Sequence, residues 1–195
     1  MKIILASSSV WRKKLLEDIG LEVQSESANI DEHQICGETP LETAMLRAQA
    51  KSRDVLSRHP ADLIIGADQV CHFEGETIGK PLSAEEWLQR LCRMRGKRHY
   101  LTTAVSVQTA SKCIDFSETT AVIFRKDLSD STLRHYVEIG EAKNCAGGYM
   151  MENRGAWLIE RIEGDWQNVI GLPIFSLTEH LRELGIGFFG ETTDG

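Results

Sequence analysis

Three consecutive serines, Ser7, Ser8 and Ser9, lead through Val10 and Trp11 to Arg12 in the segment ASSSVWRKK. A short apolar strand before them and an amphipathic helix after them would make this turn a helix start. Such a start offers unpaired backbone N–H groups, hydroxyls and a positive dipole end to an anion. Arg12 lies one helical turn beyond Ser8, so its guanidinium can fold over the same face and grip phosphate oxygens in pairs. Plain helix capping by serine beside a solvated basic face is the other reading of the segment. The glycines of a Walker loop are absent.

Lys51 falls on a stripe with Ala44, Ala48 and Val55, where helical spacing points residues inward and an apolar side chain is the usual occupant. An ammonium there must either find an anionic partner or run its stem out to water. Asp68 follows the apolar run LIIGA, placing a carboxylate at the expected carboxyl end of a core strand, where α/β sheets open to ligands. It could bind magnesium or take a proton from an attacking water, or it could simply bond neighbouring amides in a turn. The loop pair Asp31-Glu32 could share a divalent cation with Asp68, or be solvated surface. Lys80, between Gly79 and Pro81, is either one more cation for a polyphosphate or an ordinary surface lysine. None of the six histidines has a metal-ligand spacing.

The elements that would position these groups can be read from periodicity. KIILA is a strand, WRKKLLEDIG a helix with Trp11, Leu15 and Ile19 on one stripe, and LEVQSES a second strand. Thr39-Pro40-Leu41-Glu42 combines a cap, a first-turn proline and a glutamate three beyond the cap, starting a helix that runs to about Leu56. DLIIGADQVCHF is a buried strand entering a hairpin at Glu74-Gly75, and SAEEWLQRLCRMRG is a helix capped by Ser83. HYLTTAVSVQT and CIDFSETTAVIF form two strands with a turn near Ala110 to Lys112, before a helix ending at Gly140 and a final one bearing Leu177, Leu181 and Leu184. This interleaving predicts an α/β protein with a central mixed sheet covered by helices.

The bulk properties narrow the function. The 195-residue chain carries a formal charge of −7, which disfavours long nucleic acid as a partner but allows a small anionic ligand assisted by magnesium. The sequence shows no membrane span or signal peptide, and its 5 cysteines make no zinc pair or disulfide framework, so a cytoplasmic protein is expected.

Taken together, ASSSVWRKKLL, NIDEH, AMLRAQAKS, LIIGADQV, GKPL and RGAWLIERIEGDWQNVIGLPI resemble, in order and spacing, the Maf-like nucleotide pyrophosphatases over nearly the whole chain. The resemblance implies a Maf/ITPase-like twisted mixed sheet in two lobes around a central cleft. It implies one domain over residues 1–187 with a polar tail at 188–195, and assembly as a homodimer. The implied reaction cleaves a nucleoside triphosphate between its α and β phosphates with a divalent cation, Mg2+ or Mn2+. Asp68 matches the family's catalytic acid residue, while Ser7, Arg12, Glu32, Lys51 and Lys80 match other active-site positions, Glu32 and Asp68 being the expected metal ligands. Trp11, Gln69 and Glu152 match the positions that separate substrate groups, and this set is similar to that of the 7-methyl-GTP pyrophosphatases. An indole face could stack on the cationic 7-methylguanine and a carboxylate could accept its N–H donors, although Trp11 also begins the apolar stripe of its helix. Val10, where the family usually has proline, and Thr103-Ala104, where threonine-glycine is frequent, depart from the pattern. A pyrophosphatase for dTTP, UTP or other nucleotides is the alternative within the family. A nucleotide-sensing regulator of cell division without turnover is the alternative outside it.

Overall fold

A computed structural model of the chain describes residues 1–187; the polar tail expected at 188–195 lies outside the described residues. Strand β1 (Ile3–Leu5) is wholly buried, and the serine turn follows it directly into helix α1 (Val10–Asp18). The buried side of α1 is Leu15 and Leu16, while Trp11 and Ile19 are only half-buried, so the apolar stripe is rotated from the one that four-residue spacing suggests. Strand β2 (Val23–Ser25) then pairs parallel with β1.

Helix α2 (Pro40–Arg58) begins where the cap signal places it, with the Glu42 amide donating to Thr39 Oγ1 at 3.1 Å. Its inward face is Ala44, Ala48, Lys51, Ser52 and Val55. Alanine and serine on this face let α2 lie close against strand β3 (Leu63–Phe73), and Gly66 completes the approach. A Cβ on Gly66 would sit 2.3 Å from the Ala48 carbonyl oxygen and 2.8 Å from the Ser52 nitrogen, so no other residue fits without moving the helix.

The remaining elements are β4 (Glu76–Ile78), α3 (Ala84–Met94), β5 (Arg98–Gln108), β6 (Cys113–Phe124), α4 (Asp130–Ile139), β7 (Ile159–Glu163), α5 (Trp166–Ile170) and α6 (Ile174–Glu183). Among the described residues seven strands form one mixed sheet in the order β2-β1-β3-β5-β6-β7, with β4 also paired to β3. β1 is parallel to β3, whereas the β3–β4 and β6–β7 pairs are antiparallel. The α/β class and the mixed sheet read from the sequence are therefore those of the molecule. Among the described residues no helix is long and apolar enough to cross a membrane.

The chain divides into two compact units. The first comprises Met1–Gln69, Thr103–Glu118 and the described part of Gly171–Gly195; the second comprises Val70–Thr102 and Thr119–Ile170. In the first unit Ile4, Ala6, Val55 and Ile64 form a buried cluster with Ala28 and Leu56 against it. In the second, α3 packs on α4, with Trp87 edge-on to Tyr136 at 6.1 Å between ring centres, and His99, Phe124 and Tyr149 pack edge to face.

Candidate active site

Of the two readings that the serine turn leaves open, the structure shows the helix cap. Ser9 caps α1, its Oγ accepting from the Arg12 amide at 3.3 Å, and the Ser9 amide in turn donates to Ser7 Oγ at 3.2 Å. These bonds shape the turn at the start of α1, where the first amides of a helix have no partner within it. Arg12 is fastened by two backbone carbonyls: Nε donates to that of Gly171 at 3.0 Å and Nη1 to that of Ala67 at 2.9 Å. A guanidinium has five N–H donors, so a head held this way keeps its Nη2 edge for a ligand. Burial lowers the Arg12 pKa, and the charges of Asp68 and Glu32 oppose that shift.

Asp68 does not end its strand. β3 runs on to Phe73, and what stops at this level is β1, whose last paired residue, Leu5, lies opposite Ile65. The expectation of a strand-end carboxylate is corrected in its cause: Asp68 lies beyond the last β1 partner while β3 continues. Both Lys51 and Asp68 are 7% exposed, which makes their pairing obligatory. Lys51 Nζ lies 2.7 Å from Asp68 Oδ1 and 2.8 Å from Glu32 Oε2. The inward lysine thus bridges two carboxylates and does not snorkel. Burial pushes the Glu32 carboxyl up, but the hydrogen bond and charge of Lys51, with Arg47 and Arg12, hold it below its ordinary value.

Glu32 and Asp31, adjacent in sequence, separate in space. Glu32 reaches Lys51, whereas Asp31 caps the short 3-10 turn Glu32–Gln34, accepting from the His33 amide at 3.1 Å and from Gln34 Nε2 at 2.9 Å. The acidic pair is therefore one site residue and one turn residue. Sequence reasoning passed over Arg47, whose Nη1 lies 3.9 Å from Asp68 Oδ2; its position one turn before Lys51 on α2 was the available signal. It also passed over the Gly171 carbonyl, which no local pattern could have linked to Arg12. Gln69 stands beside Asp68 on β3 and donates from Nε2 to Thr103 Oγ1 at 3.0 Å.

Lys80 and Glu152 belong to the second unit. Lys80 is exposed, directly after Gly79, whose carbonyl accepts from Arg90 at 2.6 Å. Glu152 is half-buried, and burial, helped by the charge of Glu141, raises its carboxyl pKa. Both influence Cys145: burial pushes that thiol up to about 11, with Glu152 adding to the rise and Lys80 opposing it. The segment leading to Glu152 is fixed by Trp87, which donates to the Gly148 carbonyl at 2.7 Å, and by the Tyr136 hydroxyl, which accepts from the Met150 amide at 3.1 Å. Gly148 has a φ of +72°, and a Cβ there would meet Trp87 Nε1 at 2.6 Å.

In the first unit, then, three cations (Arg12, Arg47, Lys51) surround two carboxylates (Glu32, Asp68) next to a helix start. That excess of positive charge suits a polyphosphate, and the carboxylates suit a hard cation carried with it. The family described as Maf-like protein matches residues 2–184. This chain belongs to the Maf family. The Maf-family chain is 39% identical to the dTTP/UTP pyrophosphatase of Pyrococcus furiosus over 184 residues, covering 94% of this chain and 95% of that one. It is 35% identical to the dTTP/UTP pyrophosphatase of Symbiobacterium thermophilum, covering 96% of each. It is 37% identical to the 7-methyl-GTP pyrophosphatase of Bartonella quintana, covering 94% of this chain and 96% of that one. Among solved structures, a HAM1 protein from Coxiella burnetii shares the fold, with a TM-score of 0.52 at 14% identity over 94% of this chain and 99% of that one.

Proposed function

We propose that this Maf-family protein is a nucleoside triphosphate pyrophosphatase that cleaves the α–β phosphoanhydride of 7-methyl-GTP, releasing the nucleoside monophosphate and pyrophosphate. The observation that carries the reading is the buried Lys51 held between Glu32 and Asp68, with Arg12 pinned by two backbone carbonyls nearby. A protein that only bound phosphates would need the cations and have little use for two acids.

Asp68 Oδ1 accepts from Lys51, and among the described residues its buried Oδ2 has no hydrogen-bond partner. An orphaned carboxylate oxygen in a buried setting fits either a bound cation or an incoming proton. Glu32 and Asp68 would hold a divalent cation such as Mg2+ or Mn2+. When bound, such a cation would offset phosphate charge and polarise the phosphoryl group whose phosphorus is attacked. Asp68 takes the proton of the attacking water, Arg12 and Lys51 bear the developing charge, and the Ser7 turn orients phosphate oxygens. Lys80, which matches a family active-site position, is proposed as a phosphate cation as well.

For the base, Glu152 supports 7-methylguanine. A carboxylate raised by burial is disfavoured as an anion, and a cationic base offsets that penalty while supplying N–H donors. The half-buried Trp11 offers an indole face, and Gln69 completes the specificity set. A second reading, dTTP and UTP as substrates, is favoured by the names of the Pyrococcus and Symbiobacterium relatives.

The test is metal-dependent pyrophosphate release measured on 7-methyl-GTP, GTP, dTTP, UTP, CTP and inosine triphosphate. The proposal expects kcat/KM on 7-methyl-GTP to exceed that on GTP by about tenfold or more, a difference of about 1.4 kcal/mol in transition-state binding. Preference for dTTP and UTP would establish the second reading. Binding without turnover on every nucleotide would make the protein a nucleotide sensor.

A further inference from the structure

Arg47 is a site cation that bonds the backbone of the turn carrying Glu32 and also faces Asp68. It sits on α2 one turn before Lys51, and its side chain is mostly buried. Its Nε donates to the Ile35 carbonyl at 3.0 Å. Ile35 closes the 3-10 turn Glu32–Gln34, its own amide bonding back to the Glu32 carbonyl at 3.3 Å. The other end of the same guanidinium places Nη1 3.9 Å from Asp68 Oδ2, the buried oxygen that no hydrogen bond holds.

The geometry divides the work between two cations. Lys51 touches both carboxylates directly, each through a single oxygen. An ammonium is a point charge with rotatable donors and does not by itself fix the angle between its partners. The guanidinium of Arg47 is planar, so fastening Nε to the Ile35 carbonyl also fixes where Nη1 points. At 3.9 Å that end attracts Asp68 Oδ2 without closing a hydrogen bond, which biases the carboxylate's orientation and leaves Oδ2 able to react.

We propose that Arg47 is a positioning residue: it clamps the turn carrying Glu32 to α2 and turns Asp68 so that Oδ2 faces the reacting phosphate. This inference rests on the reading of Asp68 and Glu32 as the reacting acids. Its effect therefore belongs in turnover, because misplacing reacting groups by a fraction of an ångström slows chemistry more than it weakens binding.

The test uses the full chain and its Arg47→Met and Arg47→Lys variants, with steady-state kinetics on the best nucleotide of the panel above and hydrogen–deuterium exchange across residues 31–36 without nucleotide. In Arg47→Met, kcat should fall about tenfold or more while KM stays within about threefold of the parent. Arg47→Lys should recover only part of kcat, since it restores charge but not the fixed fork. The amides of residues 32–35 should exchange faster in both variants. A folded Arg47→Met with kcat within about twofold of the parent overturns the inference, as does a loss confined to KM, which would make Arg47 a phosphate ligand. Should Arg47→Met not fold, Arg47→Lys decides alone: reduced kcat with faster exchange supports the clamp, and full kcat or unchanged exchange overturns it. If the parent hydrolyses no nucleotide, the proposed function falls, and the exchange measurement still decides whether Arg47 fastens the turn.

Discussion

His99 sets how the fold tolerates acid. It lies on β5, wholly buried, with Nε2 2.8 Å from the Tyr149 hydroxyl and its ring edge-on to Phe124. Its Nδ1 has no hydrogen-bond partner among the described residues. Burial, with a smaller contribution from the charge of His72, lowers its pKa to about 3. In the unfolded chain a histidine titrates near about 6.5, so between these values the unfolded state binds the extra proton. Stability is then fully present above the unfolded pKa, falls as pH drops below it, and levels off near the folded value. At pH 5 the linkage amounts to about 2 kcal/mol. The assay is urea unfolding of the parent and of His99→Phe at pH 7.5 and pH 5.0. His99→Phe keeps an aromatic ring but leaves the Tyr149 hydroxyl without its partner, costing about 1–2 kcal/mol at either pH. The parent should lose about 2 kcal/mol more than the variant between the two pH values, other acid-sensitive groups cancelling in the difference. Equal losses in both proteins would refute the account of His99 as a neutral buried ring.

Three further perturbations address the site. Asp68→Asn keeps the shape of the side chain and should lower kcat by about a hundredfold to ten-thousandfold with the fold intact by circular dichroism; near-parent activity would remove Asp68 from the chemistry. Lys51→Met strands the buried Asp68 carboxylate and should cost about 3–5 kcal/mol in a denaturant titration, much of it recovered in the double variant with Asp68→Asn; a loss under about 1 kcal/mol would mean the bridge contributes little to stability. Gly66→Ala drives a methyl group into the backbone of α2 and should cost about 1–3 kcal/mol or more while lowering kcat, because Lys51 rides on the displaced helix; parent-like values of both would show that α2 is free to yield.

The sequence made the elements legible wherever a local rule governed them. Thr39 and Ser83 cap the helices their spacing assigns, the Glu74-Gly75 hairpin joins β3 to β4, and Gly140 ends α4 with a φ of +75°. Lys51 was legible for the opposite reason, as a charge in an apolar stripe that required a partner. Less visible was anything set by partners distant in the chain. Periodicity could not rotate α1 so that Leu16 is buried and Trp11 half-open, because that rotation depends on what packs against the helix. Nor could it end β1 before β3, or tell Glu32 from Asp31, which differ only in where the 3-10 turn aims them. Gly66 resembled any glycine in a strand, and only the closeness of α2 explains it.

The bond from Arg12 to the Gly171 carbonyl joins residues 159 apart in the chain. During synthesis at about 5–20 residues per second, the arginine is made roughly ten to thirty seconds before its acceptor exists. Meanwhile β1, the serine turn and α2 can assemble with the Lys51 bridge in place, since all of those residues are made early. A nascent chain stalled short of Gly171 would therefore hold its acidic pair in order with one grip of the guanidinium missing. The grip on Arg12 is completed long after the residues of the Lys51 bridge have been made.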